Sequence, residues 1–529
     1  MACGKHITDL PDEMLLKIFS NLCIEDLALS VQHVNKHWKD VTQDDSLWKN
    51  QVFSPEYKMT DKEIARHLVN MPALKAFCPA RGTNTKNIIS TMCKYCRDIR
   101  RIEFMWTHKL SNSRLQNIVK KYPHLEILHI PLPKQSDQLH CAILVGQLQN
   151  LTTLNFTEKY VDEVADRILE TIAEGCPALL HLDLGYTKFQ DHDVQYLLKR
   201  RGKQLLFFSV RCYISSISHR LLTDCCDNLQ NLWYENNNHD FPSTYTKFLK
   251  KLSKLHSLKL LYFDIPNIFK KQALSKLIKL DLFQCDVDET AVTGIFMNCP
   301  HLKSLSLGEN SITDDSLQHI GNCKNLEHLS IPYSLSLTDK GMEYVGAGCP
   351  RLKHIDIGYS PQLTNKSIEY VCKGCQKLKY LSIPSLPEMT DAVLDNILKC
   401  RELEVLSIAW NPQFLGTNFL LIPSNLIHLT ELDIVGCVAL DEKCVHELQV
   451  MMPSLEIIRD YTVNEEPDVN LGEAAFFISE SMWKWYCMCI NIKHSRLTTT
   501  YKNYIPQESN VCEMPCTVLF CALMMFWNQ

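Results

Sequence analysis

Fifteen near-copies of one short phrase run through this chain, and no other feature restricts its fold as much. "CPHLKSLSLG" begins at Cys299, "CPRLKHIDIG" at Cys349 and "CQKLKYLSIP" at Cys375. The first aliphatic residue of each copy gives the series Ile99, Leu125, Leu151, Leu179, Leu205, Leu229, Leu255, Leu277, Leu302, Leu326, Leu352, Leu378, Leu403, Leu429 and Leu455, with gaps of 22 to 28 residues. In Leu302-x-x-Leu305-x-Leu307 the last two leucines alternate, so both point inward from one short strand. The next inward place holds small or polar residues such as Thr187, Cys285, Asn310, Ser334, Ser360, Asn411 and Cys437. These suit a buried turn whose backbone groups need partners. Pairs such as Thr338-Asp339 and Thr364-Asn365 then predict a capped helix start. Each helix closes at a cysteine, often followed by proline, which halts it. Cys96, Cys176, Cys226, Cys299, Cys323, Cys349, Cys375 and Cys400 share that slot and read as small core hydrophobes.

One strand–helix unit cannot bury its own face, so the copies predict a stacked solenoid with a curved parallel β-sheet inside and helices outside. Fifteen strands at about 4.8 Å would give an inner wall of roughly 70 Å. The period resembles the cysteine-containing subclass of leucine-rich repeats, clearest from Leu277 onward and looser from Arg200 to Pro266.

Ahead of the array stands "LPDEMLLKIFSNLCIEDLALSVQHVNKHWKDVTQDDSLWKN", residues 10–50. The Leu10-Pro11 step suits a helix start. Leu15, Ile18, Phe19 and Leu22 make one apolar face, and Glu25 and Asp26 favour the start of a second helix. Trp38 and Val41 belong to a third. About forty residues form a marginal domain by themselves, and the apolar ends Leu10-Pro11 and Leu47-Trp48 suggest docking onto something else. The segment resembles an F-box, with Asn35 where that family usually has cysteine. The whole chain resembles the F-box/leucine-rich-repeat proteins, which are substrate receptors of SCF (Skp–cullin–F-box) ubiquitin ligases. That resemblance implies a non-catalytic bridge. Leu10, Pro11, Ile18, Leu22, Leu27, Trp38, Leu47 and Trp48 would face or support the Skp adaptor. Among them Leu10, Pro11 and Trp48 are expected at the contact, and Ile18 and Trp38 inside the domain. Cullin and a RING subunit would follow, and the solenoid would hold an unknown protein substrate. An F-box scaffold that directs no ubiquitination, or a plain repeat binder, are the alternatives.

The fold expected is thus a small all-α three-helix F-box (1–53), a helical linker or cap (54–92), an α/β leucine-rich-repeat solenoid of about fifteen repeats (93–460), and a linker with an irregular apolar, cysteine-rich tail (461–529). A formal charge of −5 argues against a general nucleic-acid partner. Neither a secretory h-region nor a run of about 20 apolar residues is visible. The 24 cysteines are therefore read as free thiols of the cytoplasm, the nucleus or both, with no membrane partner.

Residues between the inward leucines would project from the concave wall. Tyr186, Tyr333, Tyr359 and Trp410 recur at one repeat position and could align as an aromatic track. With Trp233, Asp356 and Asp433 they are candidate substrate contacts, for a partner carrying basic patches. Equally, such side chains merely fill the inner face of any solenoid. Cys93-x-x-Cys96 and Cys372-x-x-Cys375 have zinc-knuckle spacing, but each second cysteine is the repeat's core slot, so no metal or cofactor is expected. The basic run at Lys199 to Lys203 reads as a solvated edge, and no nucleotide-loop or hydrolase motif is present.

Overall fold

The computed structural model describes residues 10–48, 51–55, 59–79, 85–105, 108–157, 164–212, 214–235, 249, 251–265, 269, 274–308 and 312–459. Asn310 and the tail 461–529 lie outside them. The chain divides into two units, Met1–Ile457 and Ile458–Gln529. The first holds the helical segment and the repeats together.

The repeated leucines do what alternation requires. Leu280, Leu305, Leu329, Ile355, Leu381, Leu406 and Leu432 are paired one strand to the next, and all are buried. Burying each such side chain contributes about 1.5–3 kcal/mol, and a one-residue slip would turn the whole row to solvent. Among the described residues seventeen of the nineteen strands join one sheet, and the other two, Asp264–Ile265 and Asp286–Val287, pair separately. Neighbours from Val52–Phe53 to Glu431–Asp433 run parallel and follow chain order. Even the loosely patterned region keeps step, with Phe208, Leu232 and Leu258 in register.

The sheet begins earlier than the sequence pattern suggests. Segment 54–92, read as a helical linker or cap, holds helix Asp61–Val69, strand Ala76–Phe77 and helix Thr85–Tyr95. Val52–Phe53 pairs with Ala76–Phe77, which pairs with Arg101–Glu103. Met71-Pro72 stands where later copies have Cys-Pro, and Phe77 replaces the strand aliphatic, which hid the period.

Helix caps follow the threonine rule. Thr338 and Thr364 accept from the amides of Lys340 and Lys366. The next residue does more: the Asp314 carboxylate accepts from the amide and hydroxyl of Thr338, and Asp339 from those of Thr364. Each helix start is thereby tied to the following repeat.

The cysteine slot is also more polar than a packing position. Cys176 Sγ donates to the Val145 carbonyl at 3.5 Å, Cys299 to Leu274 at 3.6 Å, and Cys375 to Cys349 at 3.4 Å. The Val145 and Cys349 carbonyls stand at the ends of helices Gln135–Val145 and Asp339–Gly348, where backbone acceptors lack intrahelical partners. Tyr122 holds the same place, its hydroxyl donating to Met92 O at 2.8 Å.

Candidate protein-interaction surfaces

The first surface lies on the N-terminal helices. Pro11 stands at the N-cap of helix Asp12–Phe19, whose first turn is acidic. The second helix, Ile24–Leu29, is capped by Cys23 Sγ, and the third, Lys36–Val41, by Asn35 Oδ1 accepting from the Trp38 amide at 2.8 Å. Asn35 is therefore an ordinary helix cap.

Leu15 and Phe19 turn inward, Trp38 packs edge-on to Phe19 at 5.2 Å, and Leu27 is buried. Leu10, Leu22 and Trp38 are half-buried against this core. Pro11, Met14 and Ile18 lie at i, i+3 and i+7, one stripe of the helix. Pro11 is exposed, Met14 is 53% exposed and Ile18 41%. Val34 adds a further 54%-exposed aliphatic. Met14 and Val34 were missed because the apolar pattern alone does not say which of two adjacent stripes faces inward.

Two expectations change places here. Ile18, assigned to the interior, is open to solvent. Trp48, assigned to the adaptor contact, is fully buried, with Nε1 donating to the Thr42 carbonyl at 2.6 Å. Leu47 and Trp48 share one continuous core with Phe53, Ile64 and Leu68. The apolar end of the helical segment is thus occupied by the first repeats, and Lys75–Asp45 (3.1 Å) and Arg97–Gln43 (3.1 Å) contacts reinforce the junction.

The second surface is the concave wall. Tyr333 and Tyr359 stack at 4.5 Å with rings 5° apart. Both sit at positive φ, as do Ser385 and Trp410, because this position makes a left-handed turn in successive repeats. Ser385 separates Tyr359 from Trp410, so the four aromatics form no continuous track. Tyr359 is only 3% exposed and supports its neighbour rather than presenting a surface. Tyr186 belongs to a different cluster. The Arg211 guanidinium lies 4.5 Å from its ring and 3.7 Å from that of Trp233, and Lys259 covers Trp233 at 4.2 Å. A further stack runs His328–His354 at 4.2 Å and His354–Tyr380 at 5.7 Å.

Asp356 and Asp433 are occupied within the fold. Asp356 Oδ1 accepts from the Gly358 amide, and Asp433 from Val435 N and from Ser407 Oγ at 2.8 Å. Asp183 and Asp281 accept from Gly185 and Phe283 in the same way, so a carboxylate closes the turn at these four strand ends. Burial pushes the Asp356 carboxyl above its ordinary range.

Cys93 and Cys96 are a half-buried and a buried thiol, pushed up by burial to about 11 and about 12. Among the described residues no group of three or more His, Cys, Asp or Glu could hold a metal ion, and no helix is long and apolar enough to cross a membrane.

Residues 7–54 match the F-box-like family model, and residues 298–321 match a leucine-rich-repeat model. The chain is 29% identical over 236 residues to F-box protein SKIP1 of Arabidopsis thaliana, covering 34% of this chain and 79% of that one. Among solved structures, the Rad7 and Elc1 complex in yeast matches at 16% identity and TM-score 0.47, over 85% of this chain and 93% of that chain. The mouse RP105/MD-1 complex matches at 14% and 0.40, over 75% of this chain and 69% of that chain.

Proposed function

This chain is an F-box/leucine-rich-repeat protein, and from that premise we propose that it is the substrate-recognition subunit of an SCF (Skp–cullin–F-box) ubiquitin ligase. The observation that carries this reading is the exposed apolar stripe Pro11, Met14 and Ile18 on a domain whose opposite end is already covered. Anchors at stable interfaces are apolar and centrally placed, and the Skp adaptor is the partner that an F-box takes. Leu10 and Leu22 flank the stripe, while Leu27, Trp38, Leu47 and Trp48 hold it in shape. Cullin and the RING subunit follow through the adaptor. The chain itself performs no bond chemistry; it holds a protein target on the concave wall, and proximity raises the effective concentration of target lysines. Trp233, Tyr333, Tyr186 and Trp410 offer the aromatic contact area there, with Asp356, Tyr359 and Asp433 shaping it.

Full-length chain carrying Pro11→Ala and Ile18→Asp should lose at least about tenfold in Skp adaptor and cullin capture, the effect of removing two central anchors, with melting unchanged. Undiminished capture would remove the reading. A scaffold that directs no ubiquitination is separated by depleting the chain. Under the receptor reading its bound partners gain half-life and lose ubiquitin; unaltered half-lives favour the scaffold.

A further inference from the structure

On the helix side of the first repeats, helices Thr85–Tyr95 and Asn112–Lys121 border an open groove of about 720 Å³. Lys86, Arg114, Lys120 and Lys121 line it with Ser90, Ser111, Ser113 and Asn117, over a floor of Ile89 and Cys93. No lining residue is acidic, and neither helix contains a single Asp or Glu. Residues 85–121 hold nine Lys and Arg against two acids, in a chain whose formal charge is −5. The two acids are engaged elsewhere: Asp98 with Lys75 and Arg100, Glu103 with Arg101 and His129. Among the described residues Arg114 is steadied by neutral oxygens, Thr85 Oγ1 at 2.8 Å and the Lys109 carbonyl at 3.0 Å, which hold its charge in place without cancelling it. Lys120 and Lys121 are exposed and form no ion pair among the described residues.

Like charges gathered in one groove repel each other, and an anion relieves that cost. We propose that this groove is a second docking site, distinct from the concave wall, for an acidic segment of a partner protein, its anions being carboxylates or phosphoserine. Helices of this length run about 15 Å, room for four or five residues of extended chain. Ser111 hydroxyl bonds to Ser113 and leaves the helix N-terminus without a side-chain cap, a favourable end for negative charge. Single-stranded RNA fits less well, because no aromatic ring lines the groove for bases to stack on. A membrane surface would call for an apolar face that inserts, and the apolar residues here lie at the floor.

The site is independent of the F-box reading, and adaptor capture is scored separately on each preparation. Fluorescence anisotropy with full-length protein would use a labelled eight-residue Glu/Ser peptide with four glutamates, its phosphoserine form and a Gln-for-Glu form. The acidic forms should bind and weaken with added salt, and the Gln form should not. Two exposed charges contribute about 0.2–1 kcal/mol each, so Lys120→Gln with Lys121→Gln should weaken binding about two- to thirtyfold. The pair Lys199→Gln and Lys203→Gln, at the end of helix Asp191–Arg201 and in the turn after it, should leave it unchanged. If the Gln form binds equally, or the Lys120/Lys121 variant binds as before with its melting temperature intact, the site is refuted. Stronger binding to phosphatidylserine vesicles or to a 12-nucleotide RNA, lost in the same variant, refutes the peptide assignment.

Discussion

A thiol repeated at one place in successive copies serves two purposes that no other small side chain combines. It fills the volume between helix end and strand, and it supplies a weak donor to a helix-end carbonyl of the preceding repeat. Serine would donate but underfill; alanine would do neither. Cys375→Ala therefore removes both the buried sulfur and the bond to Cys349 O, and should cost about 1–2 kcal/mol. Urea unfolding of the two proteins measures it, and a loss below a few tenths would show the thiol idle. The slot was legible in the sequence as a spacing, and its burial as a consequence. Its hydrogen bond was not, because the acceptor sits about 26 residues away and only stacking brings it near. The same limit applies to Asp356 and Asp433. They read as exposed acids on a wall, yet each closes a left-handed turn at its own strand end, a demand that appears only once the backbone has turned.

Between elements, the carboxylate at a helix start is what fixes one repeat on the next. Asp391 accepts from Leu415 N, Gly416 N, Thr417 N and Thr417 Oγ1, all in the following repeat. Burial works against its ionisation, but those donors hold the carboxyl below the usual range. Asp391→Ala leaves the amides to water and should destabilise by about 1–2 kcal/mol. Because repeats couple chiefly to neighbours, amide exchange should quicken first around 415–425. Uniform acceleration along the array would contradict nearest-neighbour coupling. At this scale the periodic leucines, the threonine caps and the three N-terminal helices were readable, since each depends on local spacing. The first two strands were not, since Met71 and Phe77 break the phrase while filling the same volume. Ile18 and Trp48 exchanged sides for a related reason: a 41%-exposed isoleucine and a buried tryptophan are decided by the repeats packed behind the helices.

At the scale of the whole molecule, five histidines among the described residues set how stability answers to acid. Burial holds His129, His181, His219, His328 and His354 below the ordinary imidazole value, with His219 and His354 pushed down to about 4. For His354 the stacked His328 adds repulsion to burial. Between about pH 6.5 and pH 4 the unfolded chain accepts protons that the folded one refuses, so acidification favours unfolding. Three carboxyls pull the other way: Asp193, Asp356 and Glu431 are raised by burial, so the folded state takes up their protons early and gains stability on acidification. Asp191 and Asp391 are depressed, and their contribution is lost only as pH falls below the unfolded carboxyl value of 3.8. With the histidines in the majority, the melting temperature should fall as pH drops from 6.5 to 4, before the depressed aspartates titrate. His354→Gln keeps the position polar and removes one refusing site, so its curve should be shallower than wild type across that window and parallel to it above pH 7. A wild-type melting temperature that holds level or climbs between pH 6.5 and 4 would mean the carboxyls outweigh the imidazoles, whereas a His354→Gln curve parallel to wild type across that window would mean the stacked pair on the concave wall carries no acid sensitivity.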